Sequence, residues 1–224
     1  MEALLVELAK NEVFSKVKQE DLEILSQNSI HRTLEDGEYL SHQGDDWPKV
    51  LFVESGEISW ALISPAGKEK ILFTIKPGED FWAHSIFDGQ HMPASLYAIG
   101  NTKIRLWSKD EILPVIQRNP EAIWAVTCRL IGVMRYAREI IYGLAFQPVS
   151  ARLSQLILDR FHDSDDPLAE RDLTLDQIAA MISSTPQVVC RVMYQFQEDG
   201  LVELSRATIK LLDPQGLEKI SEGH

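Results

Sequence analysis

Few residues of this chain have the types and spacing that chemistry needs. His31, His42, His84 and His91 form no H-x-H pair, and Cys128 and Cys190 lie in separate segments with no C-x-x-C, so no clustered metal site is expected. There is no G-x-S-x-G, no P-loop and no G-x-G-x-x-G, and no enzymatic activity is expected. What remains is a polar run, STPQVVCR, at Ser184–Arg191. In such a run Gln187 can pair with adenine in bidentate fashion, and Arg191 can read guanine or grip phosphate. Ser184 and Thr185 can donate to phosphates.

The elements that must position these residues are legible. LTLDQIAAMI, then SST, then PQVVCRVMYQFQEDG read as two short helices joined by a tight polar turn, a helix-turn-helix candidate. Thr174 is placed to cap the first helix, and Gln177 three residues on completes a capping box. Thr185 is an N-cap with Pro186 at the first helical position, and Gly200 is placed to stop the second helix. LVELS and ATIKLL follow as a hairpin, a wing beside the two helices. Upstream, VSARLSQLILDRF reads as an amphipathic helix and HDSDDPLAERD as a polar loop.

Pro120 to Phe146 reads as one long helix of about 40 Å, with Pro120 in its first turn and Pro148 ending the run. Apolar or small residues recur at Val126, Leu130, Val133, Ala137, Ile140 and Leu144. The alternating steps of four and three mark the seam of a helix that pairs with a partner. Before it, residues 3–10 and 19–27 read as short amphipathic helices, and SKDEILPVIQRNP returns to helix. Between His31 and Trp107, VLFVES, EISWALIS, EKILFTIK and TKIRLW alternate with turns at Gly37, Gly44, Gly56, Gly67, Gly78, Gly89 and Gly100, and SPAGKEK forms a hairpin loop. Strands so spaced predict an antiparallel sandwich or roll.

Bulk properties set limits. The chain has 224 residues, 2 cysteines and a net charge of −12, which excludes a disulfide framework and a generally basic nucleic-acid coat. No signal peptide or membrane-spanning run is present, so a cytoplasmic protein with no membrane partner is expected. From Pro148 on there are 7 Lys or Arg against 13 Asp or Glu. Phosphate neutralisation supplies most non-specific affinity, so binding is expected to be weak or to need a dimer. Arg191, Arg206 and Lys210 are placed for a small basic patch.

The order of parts resembles the CRP/FNR family of bacterial transcription regulators over nearly the whole chain. The resemblance rests on DGEYLSHQGDDWPKVLFVESGEISW, PAGKEKILFTIKPGEDF and IFDGQ in the roll, on GLAF at Gly143–Phe146 as a hinge, and on LTLDQIAAMISSTPQVVCRVMYQFQEDGLVEL with ATIKLLD as reader and wing. It implies an α+β fold in three parts: a jelly-roll-like antiparallel β-roll with N-terminal helices (1–118), a dimerisation helix and hinge (119–147), and a winged helix-turn-helix DNA-binding domain (148–224). It further implies a homodimer on a palindromic site in double-stranded DNA, with RNA polymerase as a partner. Gln187, Val188, Cys190 and Arg191 fall at or beside the reading positions. The family often has Arg, Glu and Ser where this chain has Pro186, Gln187 and Cys190, so a different operator is expected.

The family roll often binds cyclic AMP through an arginine and a glutamate. Met92 and Ala83 stand at those positions, and Ala137 and Arg138 replace the polar residues that meet the adenine, so cyclic AMP is not expected as the effector. With no N-terminal cysteines, an iron–sulfur cluster is not expected either. GEDFWAHS is similar to the haem-ligand stretch of a CO-sensing branch, with His84 at the ligand position, so a haem-dependent gas or redox sensor is an alternative. The effector pocket is expected around Trp82, His84, Met92, Ala137 and Arg138. A second alternative is a protein-interaction module whose reading helix no longer binds DNA.

Overall fold

The computed structural model describes residues 2–161, 168–170, 173–205 and 208–222. The chain forms two compact units, one of Met1–Gly67 with Ile71–Arg135, the other of Lys68–Lys70 with Tyr136–His224.

In the first unit, α1 (Glu2–Lys10) and α2 (Gln19–Asn28) fall where the amphipathic pattern predicts them, with a single 3-10 turn at Phe14–Lys16 between. Asn11 makes that turn: its Oδ1 accepts from the Val13 and Phe14 amides at 2.9 and 3.1 Å, which drops Phe14 into the core. The roll contains β1 (Ile30–Leu34), β2 (Tyr39–Ser41), β3 (Lys49–Ile63), β4 (Glu69–Ile75), β5 (Asp80–Trp82) and β6 (Ser95–Ser108), with a short α3 (Ser85–Asp88) between the last two. The sheet runs β1-β6-β3-β4, with β2 on β6 and β5 on β3. The ladders of β6 with β1, β2 and β3 are antiparallel, as the strand spacing predicts.

One part of the strand reading is corrected. VLFVES and EISWALIS, read as separate strands parted by a turn at Gly56, are one 15-residue strand. Gly56 has φ +75°, and a Cβ there would lie 2.3 Å from Thr102 Oγ1 and 2.6 Å from the Asn101 carbonyl. The register against β6 shifts on both sides of Ser55, so this glycine makes a bulge. Gly100, also read as a turn, lies inside β6. A bulge and a turn both call for a residue tolerant of positive φ, so sequence does not separate them.

After β6, α4 (Lys109–Gln117) starts at Ser108, whose backbone N–H and hydroxyl both donate to the Glu111 carboxylate. Asn119 then locks the joint to the next helix. Its side-chain amide donates to Asp21 and to the Val115 carbonyl, each at 2.7 Å, and its Oδ1 accepts from the Lys18 amide at 3.0 Å. The long helix α5 (Pro120–Phe146) has the predicted bounds. GLAF is its last helical turn, and the break before the next helix falls at Gln147–Pro148.

The second unit continues with α6 (Val149–Phe161), β7 (Leu168–Glu170), α7 (Leu175–Ile182), α8 (Pro186–Glu198), β8 (Val202–Leu204), β9 (Thr208–Leu211) and α9 (Pro214–Ser221). Its core joins Leu153 and Ile157 of α6, Ile178 and Ile182 of α7, Val189, Met193 and Phe196 of α8, and Val202, Ile209 and Leu217. The wing is a three-stranded sheet in the order β7-β9-β8. Strand β7 lies within the stretch read as a polar loop. It is three residues long, too short to show a period, and is held by pairing with β9.

Candidate nucleic-acid interface

The turn between α7 and α8 is built by local rules. Thr174 Oγ1 accepts from the Gln177 amide at 3.2 Å, and Gln177 Oε1 accepts from the Thr174 amide at 2.8 Å, the capping box expected from sequence. α7 ends at Ser183, the one described non-glycine residue with positive φ (+53°). Arg152 of α6 donates to the Ile182 and Ser183 carbonyls, placing a cation on the exposed carbonyls of the α7 terminus. α8 then starts from Thr185, whose hydroxyl accepts from the Val188 amide at 3.4 Å, with Pro186 next.

This fixes which side of α8 faces inward. Val189, Met193 and Phe196 are buried, while Gln187 and Arg191 are exposed and Val188 and Cys190 are half-buried. Ser184 is half-buried and Thr185 exposed at the mouth of the turn. Gln187 and Arg191, four residues apart, share the outer face of the helix. Arg191 makes no ion pair with any described residue, so its guanidinium is available to base edges or phosphate. Tyr194 stands on the same outer side at 59% exposure. Sequence reasoning passed over it, although the i, i+3 step from Arg191 was the available signal. Of the rest of the expected basic patch, Lys210 is paired with Glu203 at 3.8 Å, and Arg206 lies outside the described residues.

The expected effector residues divide between the units, Trp82, His84 and Met92 in the first and Ala137 and Arg138 in the second. Trp82 and Met92 are core residues, Met92 being 2% exposed, and Ala83 beside them is also buried. The Trp82 indole N–H donates to Asp80 at 2.5 Å, and its ring packs on Phe14 and Phe87. His84 is half-buried, with its ring 5.5 Å from that of Trp60 in an edge-on contact. Trp60, which sequence reasoning left out, also packs on Phe73 and Phe81. Its indole N–H is buried with no hydrogen-bond partner among the described residues. Ala137 and Arg138 are exposed on α5, and Arg138 is paired with Glu139. A separate cleft of about 490 Å³ lies between Glu12 and Lys16 on one side and Pro120, Trp124 and Cys128 on the other.

On α5, Val126 is buried in the core of the roll, and Leu130 and Val133 pack against that core. Ala137 and Leu144 are exposed, and Ile140 is half-buried. Several apolar residues outside that series are wide open to solvent, Trp124 (70%), Met134 (72%), Ile141 (67%) and Phe146 (74%), while Ile131 (45%) is about as exposed as Leu144 (48%) of the series. Among the described residues no group of three or more His, Cys, Asp or Glu is placed to hold a metal ion, and no helix is long and apolar enough to cross a membrane.

Comparison with known proteins matches both units. Residues 31–119 match the cyclic nucleotide-binding domain, and residues 151–220 match the Crp-like helix-turn-helix domain. The Cyclic AMP receptor protein of Thermus thermophilus is 24% identical over 211 residues, covering 94% of this chain and 97% of that protein. Among solved structures, the c-di-GMP responsive global regulator CLP of Xanthomonas campestris aligns with TM-score 0.77 at 18% identity, over 87% of this chain and 99% of the other. A mutant form of CooA from Carboxydothermus hydrogenoformans aligns with TM-score 0.75 at 21% identity, over 89% of this chain and 90% of the other. With a cyclic-nucleotide-binding-like roll, the long helix α5 and the Crp-like reader following in order, the chain belongs to the CRP/FNR family of bacterial transcription regulators.

Proposed function

We propose that the chain acts as a homodimer that reads a palindromic promoter site and answers to an effector other than cyclic AMP. The observation that carries the effector reading is the burial of Ala83 and Met92. Both sit in packed core and neither bears a charge. A cyclic phosphate brought there would lose its water and meet no cation. Titrating cyclic AMP into the protein by calorimetry is therefore expected to give no saturable heat. Micromolar saturable binding would contradict the reading.

The dimer seam is proposed one residue on from the predicted series. Val126, Leu130 and Val133 are spent on the roll, whereas Trp124, Thr127, Ile131, Met134, Arg138, Ile141 and Ala145 continue the alternation of three and four on the open face of α5. Two copies joined there would present α8 to half-sites about 34–36 Å apart, one DNA turn. Ile131→Glu is expected to give a folded monomer by sedimentation. Leu130→Glu is expected to loosen the roll instead. RNA polymerase is the partner on which such a regulator acts at a promoter.

His84 supports a second reading, as a haem ligand. Its imidazole is half-buried and makes no hydrogen bond to a described residue, so a nitrogen is free to ligate iron, while Trp60 sets the ring's orientation. Haem would supply the gas or redox response. Haemin titration is expected to give a Soret band that His84→Ala removes; no band, or one unchanged in the variant, removes this reading.

A further inference from the structure

We infer that the seam of α5 holds a dianionic oxyanion of the phosphate class between the Arg138 side chains of two copies. The inference rests on the seam proposed above. In that heptad phase Trp124, Ile131, Arg138 and Ala145 take the a positions and Thr127, Met134 and Ile141 the d positions. The flanking e and g positions are Cys128, Arg135 and Tyr142, and Leu130, Ala137 and Leu144. Between Trp124 and Ala145 no acid occupies any of these positions, and the only charges at them are Arg135 and Arg138. In a chain of net charge −12, the seam of the dimer is thus a cationic strip.

Symmetry makes Arg138 the focus. In a parallel pair an a residue faces its own copy, with the helix axes about 8–10 Å apart. Two guanidiniums at that spacing lie within about one Debye length (~8 Å) at physiological salt, so they repel. In the single chain Arg138 leans on Glu139, but both groups are largely exposed, at 76% and 60%, and such a pair holds weakly. Glu139 is one residue on, rotated about a quarter-turn out of the seam. A phosphate group on the two-fold axis satisfies both forks at once, since a guanidinium offers parallel N–H donors that match oxyanion geometry. Apolar neighbours on either side, Met134 and Ile141, keep the site partly dry and strengthen the contact. The site is incomplete in one chain and would hold one anion per dimer, so bound anion and dimer formation are linked.

The test is sedimentation of the full-length protein in sodium phosphate against sodium chloride at matched ionic strength and pH. Phosphate is expected to tighten the dimer about tenfold, with one phosphate bound per dimer by calorimetry. Arg138→Leu is expected to dimerise tightly without phosphate and to ignore it. A phosphate-blind wild type, or an Arg138→Leu variant with the wild-type response, overturns the anion site. Ile131→Glu separates the two failures. If it stays dimeric, the seam is overturned and the anion site with it. If it is monomeric while the wild type ignores phosphate, the anion site alone is overturned.

Discussion

Asp80 of β5 is paired with Arg129 of α5. The Arg129 Nε lies 3.4 Å from Asp80 Oδ2, and its Nη2 donates to the Asp80 carbonyl at 2.7 Å. The Asp80 side chain is wholly buried and also accepts from Asn11 at 2.8 Å and from the Trp82 indole at 2.5 Å. One carboxylate thus ties the first helix–turn segment, the strand leading to His84, and the long helix.

Removing the cation leaves that carboxylate buried with only neutral donors. Arg129→Ala is expected to lower stability by about 2–4 kcal/mol, read from the urea midpoint. A loss below about 0.5 kcal/mol, the range of ordinary surface changes, would show that the pair is not structural.

Ser183 closes α7 with φ +53°, and its hydroxyl is buried without a hydrogen-bond partner among the described residues. Glycine removes the steric cost of the left-handed backbone at no loss of bonding. Ser183→Gly is expected to stabilise the second unit by about 1 kcal/mol, seen as a higher melting temperature. A lower melting temperature would contradict this account of the turn.

The Arg118 hydrogen bond holds the Asp21 carboxyl below its ordinary value of 3.8, outweighing the opposing effect of burial. Because the folded value is depressed, this contribution to stability is complete above the unfolded value and is lost as pH falls through the folded one. Between neutral pH and about pH 5 it is flat, and it declines below about pH 4. Asp21→Asn lacks the carboxylate, so the stability gap between wild type and variant is expected to close in that acid range. A gap that stays constant with pH would contradict the assignment.

What was legible in the sequence was what local rules determine. The two caps at Thr174 and Thr185 and the proline bounds of α5 are statements about neighbouring residues, and they stand at the predicted positions. The heptad spacing was visible too, but several apolar phases coexist on α5. Only tertiary packing shows that Val126, Leu130 and Val133 face the roll and Ile131 and Met134 do not. The Asp80 network was hidden for the same reason: Asn11, Trp82 and Arg129 are far apart in the chain, and no spacing links them. The helix α9 was missing from the sequence reading, although Asp213 before Pro214 is a start signal; the structure has Asp213 accept from the Gly216 amide at 3.0 Å.

The most direct test of the central claim is selection of bound sites from a random duplex library by the full-length protein, followed by anisotropy with Arg191→Ala. A two-fold symmetric site is expected, with half-sites one DNA turn apart. Arg191→Ala is expected to lose about tenfold or more in affinity and to relax one base position in each half-site. No enriched sequence, or an Arg191→Ala variant that binds the selected site as the wild type does, would contradict the claim that α8 reads DNA.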